Sequence, residues 1–146
     1  MELYGILQRV YMSMRIEHNE KDIHFSAELD SRLCLLYQDS GVGKTFLFKT
    51  FQKAICEDWH SRYYYYNYIN SDKILSNKSV YLDSNNIVIF DDAGLYNGIV
   101  SKVLEESSAT IVVITKSLWW LGEYKEEFGC YRIEQTEDSV IMRRFK

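Results

Sequence analysis

Between residues 36 and 45 the chain reads Leu36-Tyr37-Gln38-Asp39-Ser40-Gly41-Val42-Gly43-Lys44-Thr45. An apolar run over 33–37 leads into this polar, glycine-bearing turn, and a helix-compatible segment follows over 46–51. Glycines let a loop turn its backbone N–H groups inward around a phosphate, and the first turn of the next helix adds free N–H groups. The pattern predicts a strand, a phosphate-binding loop and a helix, with Lys44 reaching the β- and γ-phosphates and the Thr45 hydroxyl holding Mg²⁺.

A second motif follows another apolar run. Residues 86–90 are rich in β-branched side chains, which is typical of a strand covered on both faces, and they lead into Asp91-Asp92-Ala93-Gly94. Two adjacent carboxylates at the end of a buried strand are costly unless they are solvated, paired or face a metal. An Asp pair that caps the next helix is the other interpretation of these residues.

Together the two motifs resemble the P-loop NTPases, and within them the additional-strand class that includes AAA-like and helicase-like ATPases. The resemblance covers roughly residues 33–118. It departs from the G-x-x-x-x-G-K-[ST] pattern at Gln38, which stands where the family has its first glycine. In the family, that glycine lets the chain turn sharply as it leaves the strand, and it contacts phosphate less than the residues after it do. The substitution therefore weakens the match to the pattern without removing the phosphate-binding residues from Gly41 to Thr45.

The resemblance implies ATP and Mg²⁺ as cofactors. The loop residues that would bind the nucleotide are Asp39, Ser40, Gly41, Val42, Gly43, Lys44, Thr45 and Phe46. By resemblance, Asp91 and Thr45 hold the Mg²⁺, and Asp92 polarises the attacking water. Thr115, at the end of a third apolar run over 110–114, matches the place of a γ-phosphate sensor, and Lys116 is a second candidate. The implied catalytic residues are Lys44, Asp92 and Thr115, although a threonine at a strand end is also common without any such role.

Other classes of nucleotide-binding protein fit less well. A GTPase would need an aspartate at Leu118 to accept hydrogen bonds from guanine. A nucleotide kinase would need lid arginines, and no arginine lies between Asp92 and Thr115. The later residues Arg132, Arg143 and Arg144 could serve across a subunit interface as arginine fingers. The alternative from a different functional class is a non-hydrolysing module in which ATP only switches a partner interface.

Length and composition set limits on the chain. With 146 residues it is large enough for one domain with a single core. The net charge of −4 gives no overall positive field for nucleic acid, but it does not exclude a local basic patch. No apolar run reaches transmembrane length and the N-terminus lacks a signal-peptide pattern, so we expect a cytoplasmic protein without a membrane partner. Besides nucleotide, a protein partner or a second copy of the chain is expected.

The order of the patterns predicts a three-layer α/β fold with a mainly parallel sheet and the nucleotide at the carboxyl ends of the strands. A single domain over 1–146 would comprise an N-terminal hairpin extension (1–32), a nucleotide-binding core (33–118) and a C-terminal helix and hairpin (119–146). Within the core we expect a helix over 44–58 and a strand in the tyrosine-rich tract over 62–69.

Overall fold

The computed structural model describes residues 14–37 and 63–146. Its strands are β1 (Met14–Glu20), β2 (Ile23–Leu29), β3 (Leu33–Tyr37), β4 (Tyr63–Tyr66), β5 (Ile87–Phe90), β6 (Thr110–Thr115), β7 (Gly129–Gln135) and β8 (Ser139–Arg144). The α-helices within these ranges are α1 (Lys78–Leu82) and α2 (Asn97–Glu106). Segments of 3-10 helix cover Ser71–Lys73, Ala93–Tyr96 and Trp119–Glu127, the last of which is kinked at Gly122.

All eight of these strands belong to one mixed sheet, in the order β1-β2-β8-β7-β3-β6-β5-β4. The strands from β7 to β4 in that order run parallel to one another. The pairs β1–β2 and β7–β8 are antiparallel hairpins. The N-terminal hairpin joins the sheet through a parallel pairing of β2 with β8, in which Phe25 lies opposite Val140.

The sheet has two apolar faces, because successive side chains of a strand point to opposite sides. On the inner face, buried side chains of β1, β2, β3, β5, β6, β7 and β8 form one cluster, and Tyr63 and Tyr65 of β4 pack against it. The outer face packs against α1, α2 and the 3-10 segments, and Val100, Val103 and Leu104 of α2 belong to this second cluster. The strands β5 and β6 are buried along their whole length, which explains their continuous apolar runs.

The prediction of a three-layer α/β fold is wrong. The sheet is mixed and curls into a half-barrel with few helices. Within the described part of the chain, every side chain of the inner cluster belongs to a strand, and both hairpins contribute to it. The hairpins are continuous with the sheet because β2 pairs with β8, a contact between segments more than 100 residues apart that local periodicity does not reveal.

Several single elements were predicted correctly. The predicted N-terminal hairpin is present as β1–β2, in which Ile16, Phe25 and Ala27 are buried. The tyrosine tract forms β4, the two apolar runs form β5 and β6, and the end of the chain forms the hairpin β7–β8. The predicted helix over 44–58 lies outside the described residues.

The Tyr131 hydroxyl on β7 forms hydrogen bonds with the backbone just before β3. Tyr131 is 1% exposed, and its Oη accepts hydrogen bonds from the backbone N–H groups of Asp30, at 2.7 Å, and Ser31, at 3.1 Å. Burial raises the pKa of Tyr131, so this hydroxyl stays neutral. Burial also raises the pKa of the neighbouring Cys34 thiol to about 11, which leaves it protonated and unreactive at neutral pH.

We expect Tyr131→Phe to lower the free energy of unfolding by about 1–3 kcal/mol, because two backbone donors lose their acceptor. Urea denaturation measures this change. The control is Tyr64→Phe, since the Tyr64 side chain is exposed and we expect a change within about 0.5 kcal/mol. Equal stability of both variants would contradict a structural role for the Tyr131 hydroxyl.

Candidate functional site

Four neighbouring parallel strands, β3, β6, β5 and β4, end at the same edge of the sheet. The last residue of β3, Tyr37, lies opposite Thr115, the last residue of β6. In β5, Phe90 lies opposite Val113 of β6, so the chain after Phe90 leaves the sheet at this edge too. The predicted loop over 39–46 lies outside the described residues, but the strand that leads to it ends here. The end of β3 and the Asp91-Asp92 pair after β5 thus lie at one edge, which makes this edge the candidate site.

The residue after β5, Asp91, is held from two sides. Its half-buried carboxylate accepts a hydrogen bond at Oδ2 from the Tyr65 hydroxyl on β4. Its backbone N–H donates to the Tyr66 carbonyl at 2.9 Å, and its own carbonyl accepts a hydrogen bond of 2.6 Å from the Tyr96 hydroxyl. Burial raises the pKa of Tyr65 and of Tyr96, and the Asp91 carboxylate adds to both shifts. Both phenols therefore stay protonated and act as donors.

Asp92 has a different environment. Its side chain is exposed, and no hydrogen bond or ion pair joins its carboxylate to any residue in 14–37 or 63–146. Its backbone adopts the left-handed conformation with φ 51° and ψ 45°, which Asp and Asn tolerate better than most residues. Because the next residues turn into the 3-10 segment, the Asp92 carbonyl accepts a hydrogen bond of 3.0 Å from Leu95. The Asp92 side chain is therefore exposed to water beside the hydrogen-bonded Asp91.

Thr115 is 1% exposed, and its hydroxyl already has partners. It donates to the Ser117 carbonyl at 2.9 Å and lies 3.2 Å from the Ser117 backbone nitrogen and 3.3 Å from the Trp120 indole nitrogen, which donate to it. A hydroxyl has one hydrogen, so donation to a phosphate would require the bond to Ser117 to break. Lys116 is exposed beside it.

The loops that follow β5 and β6 are in close contact. A Cβ atom placed on Gly94 would lie 3.3 Å from the Ser117 Oγ and 3.4 Å from the Thr115 Oγ1. The glycine of the Asp-Asp-Ala-Gly motif therefore allows the two loops to lie this close together. A movement of one loop would displace the other.

The donor set at this edge fits Mg²⁺. In the described ranges, no group of three or more His, Cys, Asp or Glu side chains could hold a metal ion. Mg²⁺ does not require such a group, because it keeps several waters and is bound through one or two carboxylates plus substrate phosphates. Asp91 would provide the carboxylate, whose Oδ1 and second Oδ2 lone pair accept no hydrogen bond from a described residue. Thr45, the other predicted ligand, lies outside the described residues.

A cavity of about 550 Å³ lies on the outer face, next to Tyr37. It is formed by the ends of β3 and β8, the start of β7 and the segment between β6 and β7. Its lining residues are Leu35, Tyr37, Leu118, Lys125, Glu126, Phe128, Cys130, Tyr131, Arg144, Phe145 and Lys146. Of the predicted arginine fingers, Arg144 lines this cavity, whereas Arg132 and Arg143 form ion pairs with Glu134 at 3.1 and 3.5 Å.

Sequence reasoning missed Tyr65 and Tyr96 at this site. The tyrosine-rich tract predicts a strand, but no local pattern shows which of its side chains contacts Asp91. The signal becomes visible only through the register, in which Tyr65 lies opposite Ile89, two residues before Asp91.

No protein-family model matches the sequence, and a comparison with curated proteins gives no significant match. Among the helices in the described part of the chain, none has the length and apolar character needed to cross a membrane.

Proposed function

We propose that the chain is an ATPase that binds Mg-ATP and couples its binding and hydrolysis to a conformational change in a protein or nucleic-acid assembly. The observation that carries the proposal is the meeting of β3, β6 and β5 at one edge. It brings the end of β3, after which the Gly-x-Gly-Lys-Thr sequence follows in the chain, and the Asp91-Asp92 pair to the same end of the sheet.

The spacing of the strands supports a shared site. Only β6 separates β3 from β5, and neighbouring strands lie about 4.8 Å apart, so the two chain exits are about 10 Å apart. A triphosphate with its metal ion can bridge such a gap. In this proposal, the backbone N–H groups and Lys44 bind the phosphates, Asp91 holds the metal ion, and the exposed Asp92 carboxylate orients water.

A non-hydrolysing switch is the second candidate, and the bonding of Thr115 favours it. A hydroxyl that already donates to Ser117 is not prepared to contact a γ-phosphate. In the switch proposal, ATP binding itself breaks the hydrogen bond from Thr115 to Ser117. The contact between the two loops at Gly94 then transmits the conformational change.

The test is a calorimetric titration of the full chain with ATP, with and without Mg²⁺, combined with sedimentation to follow the oligomeric state. We expect Mg²⁺-dependent binding in the range of 1 μM to about 1 mM that is typical of enzyme substrates. GTP and AMP titrations test base and phosphate selectivity. An absence of ATP binding at about 1 mM nucleotide would rule out both candidates. A cytoplasmic location and a protein or self-association partner belong to the same proposal.

A further inference from the structure

We infer that Tyr65 is a positioning residue that orients the Asp91 carboxylate for Mg²⁺, an inference that rests on the proposed function. The Tyr65 hydroxyl donates to the Asp91 Oδ2 from the neighbouring strand. Because the Tyr96 hydroxyl and the Tyr66 carbonyl hold the Asp91 backbone, side-chain rotation is the main remaining freedom of this residue. The bond from Tyr65 removes it.

The register of β4 on β5 selects this tyrosine among four consecutive ones. Tyr63 and Tyr65 pack against the inner apolar cluster, Tyr66 lies in the outer cluster, and Tyr64 is exposed. Of the two inner tyrosines, Tyr65 is nearer the carboxyl edge, since it pairs with Ile89 while Tyr63 pairs with Ile87. Its ring therefore extends along the sheet to the residue that leaves β5.

The hydrogen bond has a direct effect on metal binding. A carboxylate that binds a metal ion is itself commonly held by a hydrogen bond, which fixes the direction of its free lone pairs. With one lone pair of Oδ2 occupied by Tyr65, Asp91 presents Oδ1 in one orientation. Loss of such a partner typically weakens metal affinity by about 10- to 100-fold.

The experiment measures the Mg²⁺ concentration that gives half-maximal binding of ATP carrying a fluorescent label on the ribose. For Tyr65→Phe we expect this concentration to rise by about 10- to 100-fold, with unchanged binding of the nucleotide in EDTA. The matched control is Tyr64→Phe, one position earlier on the same strand, which should behave as wild type. A Tyr65→Phe midpoint within about twofold of wild type would overturn the inference.

A double-mutant cycle separates positioning from a structural role. In Asp91→Asn the charged acceptor is absent, so adding Tyr65→Phe should leave the Mg²⁺ midpoint where Asp91→Asn alone puts it. An additive effect of the two substitutions would assign Tyr65 to general stability instead. If the wild-type chain binds no labelled ATP at any Mg²⁺ concentration, the proposed function fails and the inference with it. If wild type binds and Tyr65→Phe matches it, only the inference fails.

Discussion

Lys44→Ala is expected to weaken ATP binding by about 10- to 100-fold, measured by calorimetry with the full chain in Mg²⁺. A lysine ammonium that contacts phosphate oxygens makes charge-assisted hydrogen bonds, each worth about 1.5–3 kcal/mol. The loss of one such bond corresponds to about this whole range, since 1.4 kcal/mol is a tenfold change in affinity. Binding of adenosine, which carries no phosphate, should not change.

The control for this prediction is Lys102→Ala. Lys102 is exposed on α2, and no ion pair joins it to a described residue, so its removal alters the net charge by the same amount without touching the sheet edge. ATP binding by Lys44→Ala at wild-type strength would show that the Gly-x-Gly-Lys-Thr sequence is not the phosphate site.

Asp92→Asn is expected to slow single-turnover ATP hydrolysis by about 100-fold or more while ATP binding stays intact. A positioned base contributes about 10²- to 10⁴-fold to a reaction, and asparagine cannot accept a proton from water at neutral pH. Asparagine is the suitable replacement because it also tolerates the left-handed backbone at φ 51°. Alanine would lose the carboxylate and add backbone strain together.

Asp72→Asn is the matched control, since Asp72 is exposed in the 3-10 segment Ser71–Lys73. An unchanged hydrolysis rate in Asp92→Asn would remove Asp92 from the chemistry. Tight ATP binding by wild type without any turnover would favour the switch over the ATPase.

The strands could be predicted from the local pattern of apolar and polar residues, because burial of a strand is reflected in the residues of that strand alone. Continuous burial of Ile87–Phe90 and of Thr110–Thr115 leaves apolar runs that can be recognised in the sequence. Alternation reveals β2, where Phe25 and Ala27 are buried and Glu28 is exposed. The architecture depended on which strands pair, and the pairing of His24 with Ser139 has no local signature.

For the candidate site, as for the fold, the sequence predicts individual residues but not the contacts between them. Asp91 and Asp92 stand out because carboxylates at the end of a buried run are unusual. The different environments of the two residues, one tethered and one solvent-facing, depend on the register of β4 and on a tyrosine five residues further along the chain. The same limit applies to Thr115, whose hydroxyl partners Ser117 and Trp120 lie after β6 in a loop and a 3-10 segment without a recognisable period.

The parallel pairing of β2 with β8 has a consequence for synthesis on the ribosome. Until residues 139–144 leave the exit tunnel, β2 has no partner on one side, and its unpaired N–H and C=O groups can bind a strand of another nascent chain. Sheets held by such distant pairings assemble slowly, and their incomplete forms aggregate. Chaperone protection during translation should therefore matter more for this chain than for a helical bundle of equal length.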